Sequence, residues 1–308
     1  MKLRFNVGNK RQPDPFVFED NGRFYLYVTA DDGVEAYSAS GLFEEWQYEG
    51  VICSVDGWKK YWAPCIIKHE GRYYLYFSCQ KEGCFEWLHV AVGDSPLGPY
   101  EEKKCLFDRF TIDAHVVETA AGLFLFYAED NRDGERIGTR VFVDCLIDPF
   151  TPAGIRREII LPTFEEEIFQ KNRYGDGKDW YCIEGPFWFR EGDWQYVMYS
   201  AGCYENDSYH VGYAAAKSDE EDLTLVEFEK FTENGNFAPV LIKNEIEEGT
   251  GHHSLIKHKD QYYIIYHGRD AEPILHEEYV EGRTARIAGL RVGDGKITVE
   301  RKCFPDAK

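Results

Sequence analysis

Three carboxylates stand in short polar words just ahead of apolar, aromatic-rich stretches: Asp14 in PDP (13–15), Asp113 in IDAH (112–115) and Glu184 in EGP (184–186). Two more words occupy the same place ahead of similar stretches, WAP (62–64) and GHHS (251–254). A carboxylate at the start of an apolar strand is costly to desolvate. Taken singly it reads as structural, partnered by an arginine or a turn, with Asp14 capping the turn before Pro15. Three at one address read differently. Brought together, they raise the proton affinity of the most buried member, leaving one carboxylate to activate water and one carboxylic acid to protonate a departing oxygen. Hydrolysis of a glycosidic bond requires that division of labour.

The unit that must position these words is written five times: FVFEDNGRFYLYVTA (16–30), IIKHEGRYYLYFSC (66–79), HVVETAAGLFLFYAED (115–130), FWFREGDWQYVMYSAG (187–202) and LIKHKDQYYIIYHG (255–268). Each is a short apolar strand, a polar turn and a second strand rich in aromatic and β-branched residues, which is a hairpin signature. A further strand, turn and outer strand follow in VEAYSASGLFEEW (34–46), LHVAVGDSPLGPY (88–100), GTRVFVDCLIDPF (138–150), VGYAAAKSDEEDL (211–223) and ARIAGLRVGDGKITVER (285–301). Repeats of this kind, each with a different polar word at one address, imply a radial array whose first strands converge on an axis. The expected fold is therefore all-β, a five-bladed β-propeller with four antiparallel strands per blade, in a single domain over 1–308. A two-sheet sandwich also supplies many short strands, but it leaves five aligned polar words without a reason. The longest departure from the repeat, 155–181, contains FEEEIFQKN, which reads as a short helix at a blade junction. Phe169, Arg173, Tyr174 and Trp180 in that segment are candidates for substrate contact at a binding mouth, with surface packing as the plainer alternative.

Composition narrows the partners. Against 35 Lys plus Arg stand 55 Asp plus Glu, a net charge of −20, and such a field repels nucleic acid and anionic membrane while tolerating a neutral or cationic ligand. Nine cysteines (53, 65, 79, 84, 105, 145, 182, 203, 303) are scattered without CxxC spacing, so neither a disulfide framework nor a zinc site is indicated. Free thiols suit a reducing compartment. The N-terminal stretch has no apolar core of signal-peptide length, and no run of 18 apolar residues occurs, so a cytoplasmic location is expected.

Taken in order, PDP, WAP, ID, EGP and GHHS, together with the SPLGPY turn of the second unit, resemble the words of glycoside hydrolase family 43. Each word alone is common; the ordered set, spread over essentially the whole chain, carries the resemblance. It implies a five-bladed propeller with an axial site and inversion of configuration, with Asp14 as general base, Asp113 as orienting residue and Glu184 as general acid. It also implies substrate-binding roles: Trp62 as a flat face for a sugar, His252 near a central channel that in some members holds a hydrated metal ion, and Arg283 on the bound sugar, with Arg269 and Arg286 as rivals. For Trp62 and His252, core packing is the alternative. His115, His253 and His267 fall near the inner strands without metal-ligand spacing.

The function implied is removal of terminal α-L-arabinofuranosyl, less readily β-D-xylosyl, residues from neutral plant-derived oligosaccharides. No cofactor is required; at most a structural calcium ion steadies the channel, with His252 touching it through water. An exo-acting site needs a wall, expected from 155–181 or from CYENDS (203–208). Endo-arabinanase action and a non-catalytic glycan-binding propeller are the alternatives, although the latter would be expected to lose a carboxylate. A retaining fructan hydrolase would show NDPN, RDP and EC words. A phosphorylase would need a cationic pocket that the stretch from His267 to Arg269 is too slight to form.

Overall fold

Residues 24–28, FYLYV, are buried at every position, and their alternation divides them between two neighbouring sheets. Phe24, Leu26 and Val28 pack with Ile256, Ile265 and Ile287, whereas Tyr25 and Tyr27 pack with Ile66, Leu75 and Phe77. A strand with no polar face suits a sheet flanked by sheets on both sides. The computed structural model, which describes residues 11–271 and 281–301, shows the same sharing all the way round. Five core clusters are each built from two successive sheets, and the last joins the fifth sheet to the first.

The sheets are the blades of a five-bladed β-propeller, with inner strands Phe16–Asp20, Lys59–His69, Ile112–Thr119, Ile183–Glu191 and Glu247–His258. Strand order within each four-stranded blade follows chain order, all pairs antiparallel. Blade three departs from four antiparallel strands: its sheet has seven, because Thr151–Pro152 and three strands of 155–181 are added to it. Arg157–Ile160 takes the outer place on Ile137–Asp148, Trp180–Tyr181 runs parallel to that same strand, and Ile168–Gln170 pairs with Trp180–Tyr181. The helix expected at FEEEIFQKN is one 3₁₀ turn, Glu165–Glu167, followed directly by strand. Glu167 caps its start, its buried carboxylate accepting the Thr163 and Phe164 amides at 2.6 and 3.0 Å and pairing with Lys230, while its carbonyl accepts the Cys182 amide at 2.9 Å and draws the chain into the strand. Among the described residues no helix is long and apolar enough to cross a membrane. The eight described cysteines are free thiols; Cys303 lies outside the described residues, as do positions 1–10 of the N-terminal reading.

The seam between blades one and five is stitched by a side chain. Ser254 Oγ accepts the Val17 amide and donates to the Pro15 carbonyl, both at 2.9 Å.

Each polar word is a β-bulge. Trp62 pairs with Ser78 and Cys65 with Tyr76, so the inner strand of blade two fits one extra residue into the interval. The same surplus occurs between Ile112 and His115, between Glu184 and Phe187, and between Gly251 and His253. In blade one, Phe16 pairs with Tyr27 while the Thr29 amide donates to Pro13, which again leaves one residue over. All five bulges contain a residue with positive φ: Asp14 (53°), Ala63 (45°), Asp113 (63°), Gly185 (57°) and His252 (39°). A left-handed residue in a bulge breaks the alternation of the strand and re-aims a side chain, a device found beside active sites.

Ala63 allows the strain of this ring to be tested without touching a polar group. Its left-handed backbone stores about 1–2 kcal/mol, so Ala63→Gly should be close to neutral once the lost methyl and the added backbone freedom are set against it. Ala91→Gly, at a buried and ordinary strand position, should cost about 1.5 kcal/mol. Urea midpoints at equal slope measure both; equal losses would show that the bulge is unstrained.

Candidate active site

The five left-handed residues ring a void of about 10 Å³ on the axis, room for one water. Above it opens a cavity of about 590 Å³ whose floor and walls include Asp14, Asp113, Glu184, His252, Trp62 and Arg283. The bulges thus bring together all three carboxylates read from the sequence.

His252 is the hub. Its Nδ1 lies 3.5 Å from Asp14 Oδ1 and 3.8 Å from Asp113 Oδ2, and its ring, Asp113 and Glu184 approach within 4.8 Å of one another. Ser200 Oγ fixes its backbone, accepting the His252 amide at 2.7 Å. Burial opposes a charge on this ring, but Asp14, Asp113 and Glu184 overcome it and raise its proton affinity.

The carboxylates live in different surroundings. Asp14 accepts the Thr29 hydroxyl at 2.6 Å and Arg283 Nη1 at 3.2 Å, and His267 Nδ1 is 3.1 Å from its Oδ1. Burial works against its charge, yet His252, Arg283 and His267 hold it far below the ordinary carboxylate range. Asp113 has the Gly185 amide at 2.9 Å and, among the described residues, no guanidinium paired with it. Burial pushes it up, His252 resists, and Glu184 and Asp14 push further, to about 7. Glu184, partly buried, accepts the Tyr209 phenol at 2.6 Å.

Other candidates fall elsewhere. Arg283 does line the cavity, but its fork grips Glu281 (Nη2 at 2.7 Å) and lies over the Tyr204 ring at 4.6 Å, so it reaches the site chiefly through Asp14. Arg269, expected on the substrate, is off the cavity wall and braces the 203–208 loop, donating to the Tyr204 and Asn206 carbonyls at 2.6 and 3.0 Å. Arg286 is paired with Glu247 and Asp270. Phe169, Arg173, Tyr174 and Trp180 do not line the cavity; Arg173 stacks over Phe169 and Trp180, and Phe169 backs Tyr204 at 6.1 Å. Tyr204, from CYENDS, does form wall. His115 and His253 lie one layer below, at 4.1 and 6.2 Å from Phe187; burial lowers both, His115 to about 4.

Sequence reasoning missed Thr29, Glu281, Tyr209 and the acidic wall on blade one, Asp31, Asp32 and Glu35. Thr29 had a signal: it lies at the end of the second strand, opposite the first word. Asp113, Glu184 and His252 form, among the described residues, a group close enough to hold a cation. A protonated His252 would itself supply positive charge there.

A family model described as glycosyl hydrolases family 43 matches residues 4–297. The chain belongs to that family. This family-43 glycosidase is 23% identical to a xylosidase/arabinosidase of Bacteroides ovatus, over 97% of its own length and 98% of the relative's. Among solved structures, a thermostable family-43 glycoside hydrolase superposes with a TM-score of 0.80 at 27% identity, covering 97% of each chain. An α-L-arabinofuranosidase from Lactobacillus brevis shares the fold, with a TM-score of 0.77 at 18% identity over 98% of each chain. The family-43 site is thus an axial acid cluster in which one carboxylate is held ionised and another is pushed toward protonation.

That contrast has a pH signature. Asp113 binds its proton more tightly folded than at its ordinary value near 3.8. Its burial is therefore harmless at low pH and becomes destabilising as pH rises toward 7. Asp113→Asn removes the ionisation, so its stability relative to the native chain should grow between pH 4 and pH 7, by at most about 1.4 kcal/mol per pH unit, and level off above. Urea unfolding across that range measures it; a constant difference would contradict the assignment.

Proposed function

We propose that this glycosidase is a single catalytic domain that removes terminal α-L-arabinofuranosyl residues, less readily β-D-xylosyl residues, from neutral oligosaccharides with inversion at the anomeric carbon. The observation that carries the reading is the unequal setting of Asp14 and Glu184. Asp14, neutralised by Arg283 and His252, stays ionised and accepts a proton from water, whose oxygen attacks the anomeric carbon. Glu184, with a phenol as partner and the cavity before it, delivers its proton to the departing oxygen. Asp113, between them and 3.8 Å from the His252 ring, orients the sugar.

Exo action is supported by the braced 203–208 loop, where Tyr204 walls the cavity, and by the facing acidic wall of blade one. That wall, with Glu281, favours neutral substrates over uronate-bearing ones. The choice of pentose is supported by the paired activities in the name of the Bacteroides ovatus relative. A cavity of about 590 Å³ is of the size that buries a drug-sized ligand, and it keeps endo-arabinanase action as a second reading. We place the enzyme in the cytoplasm, acting on imported fragments. A protonated His252 would supply positive charge at the axis without a transition metal, and a calcium ion in the channel would serve only to stiffen it.

Asp14→Ala and Glu184→Ala should each lower turnover of a natural arabino-oligosaccharide by about 10²–10⁴-fold. Glu184→Ala should lose far less on a dinitrophenyl arabinofuranoside, because an acidic phenol departs without a proton. Equal losses on both substrates would remove Glu184 from the acid role.

Product chromatography tests the substrate. Arabino-oligosaccharides should yield arabinose from the first time point, in chelator as well as in buffer. A ladder of oligomers from arabinan would establish endo action, xylose released first would reverse the choice of sugar, and loss of activity restored by zinc alone would require a metal.

A further inference from the structure

Tyr209 is 1% exposed, and its phenol donates to Glu184 Oε1 at 2.6 Å. Its ring has nowhere to swing. On one side it stacks on the His267 ring, 5.5 Å between centroids and 7° between planes; Tyr204 meets it edge-on at 6.4 Å. On another side stands Gly251, where an added Cβ would come within 2.2 Å of Tyr209 Cε1 and 2.3 Å of Cδ1. The glycine of GHHS thus makes space for an aromatic ring contributed by blade four. Burial and the Glu184 charge push the phenol well above its ordinary range, so it remains a donor. Cys182, also beside Glu184, is held as a neutral thiol by burial.

We infer that Tyr209 is a positioning residue for the general acid: by occupying Oε1 it leaves Oε2 as the oxygen that carries the transferable proton into the cavity. The glycosidic oxygen takes that proton, the bond to the anomeric carbon breaks, and the phenol keeps its own hydrogen. It then stabilises the carboxylate left behind, since a hydrogen bond to a charged acceptor is stronger than one to a neutral one. His267, stacked on the same ring, accepts the Asp14 amide at 3.1 Å, so one aromatic pair touches both acid and base. The inference rests on the reading of Glu184 as the acid.

The test uses Tyr209→Phe, which keeps the ring and its packing, on aryl α-L-arabinofuranosides and aryl β-D-xylosides whose leaving phenols span a range of acidity. The expected result is a kcat lower by about 10-fold or more on the least acidic phenol, a part of the 10²–10⁴ that a general acid supplies. On dinitrophenol the loss should be under about threefold, with KM unchanged on both. A loss uniform across the series, or one confined to KM, would assign Tyr209 to packing or binding and overturn the inference. Glu184→Ala is run on the same substrates. If it too shows no dependence on the leaving group, the acid assignment falls; if it does show one while Tyr209→Phe is uniform, only the Tyr209 inference falls. Gly251→Ala, which crowds the ring without removing the hydroxyl, should reproduce the leaving-group dependence, and a flat response from a folded variant would also count against it.

Discussion

Like charges crowded at an axis of apolar strands repel one another more strongly than in water, and every other feature of this site answers that repulsion. Three carboxylates converge on one imidazole, and among the described residues a single guanidinium reaches one of them, Asp14. Had Arg283 been placed symmetrically, its charge would favour none of the three acids over the others. Its attachment to Asp14, enforced by the grip of Glu281 on the other face of the fork, breaks that symmetry. The position of one arginine thus adds to the hydroxyl and imidazole contacts that set Asp14 apart.

The bulges explain how such a cluster is tolerated by a sheet protein. A regular strand would send alternate side chains into the two flanking blades, as Phe24 and Tyr25 are sent, and none would point along the axis. One surplus residue in the left-handed region re-aims the side chain, and the surrounding blades, packed on both faces, hold the strained backbone in place. Where the word ends in proline, as at Asp14, Ala63 and Gly185, the next residue donates no amide hydrogen to the ladder.

The blades were legible because a buried strand between two sheets must be apolar throughout, and five such strands with turns are hard to mistake. The carboxylates were legible because aspartate and glutamate have no cheap reason to start such strands. What escaped reading depends on contacts between neighbouring blades whose residues lie far apart in the sequence. Tyr209 looks like any aromatic of a fourth repeat, and only Gly251, forty-two positions away, reveals that its ring crosses toward blade five. Arg269 sits in the right neighbourhood for a sugar contact, but which way its fork turns was decided by two carbonyls of a loop without regular structure. The extra strands of blade three arise from a segment that departed from the repeat and read in part as a short helix, of which one 3₁₀ turn is present.

Closure of the ring through Ser254 bears on when the enzyme becomes an enzyme. Asp14 leaves the ribosome before the groups that tune it: His252, His267 and Arg283 belong to the fifth blade, more than 230 residues later. Domains assemble as the chain emerges, and long-range pairings form late. A nascent chain lacking its fifth blade holds an aspartate with neither imidazole nor guanidinium beside it and an open edge where Val17 should meet Ser254. On the proposed roles, the site is thus complete only once the fifth blade has been made, in the same event that seals the ring.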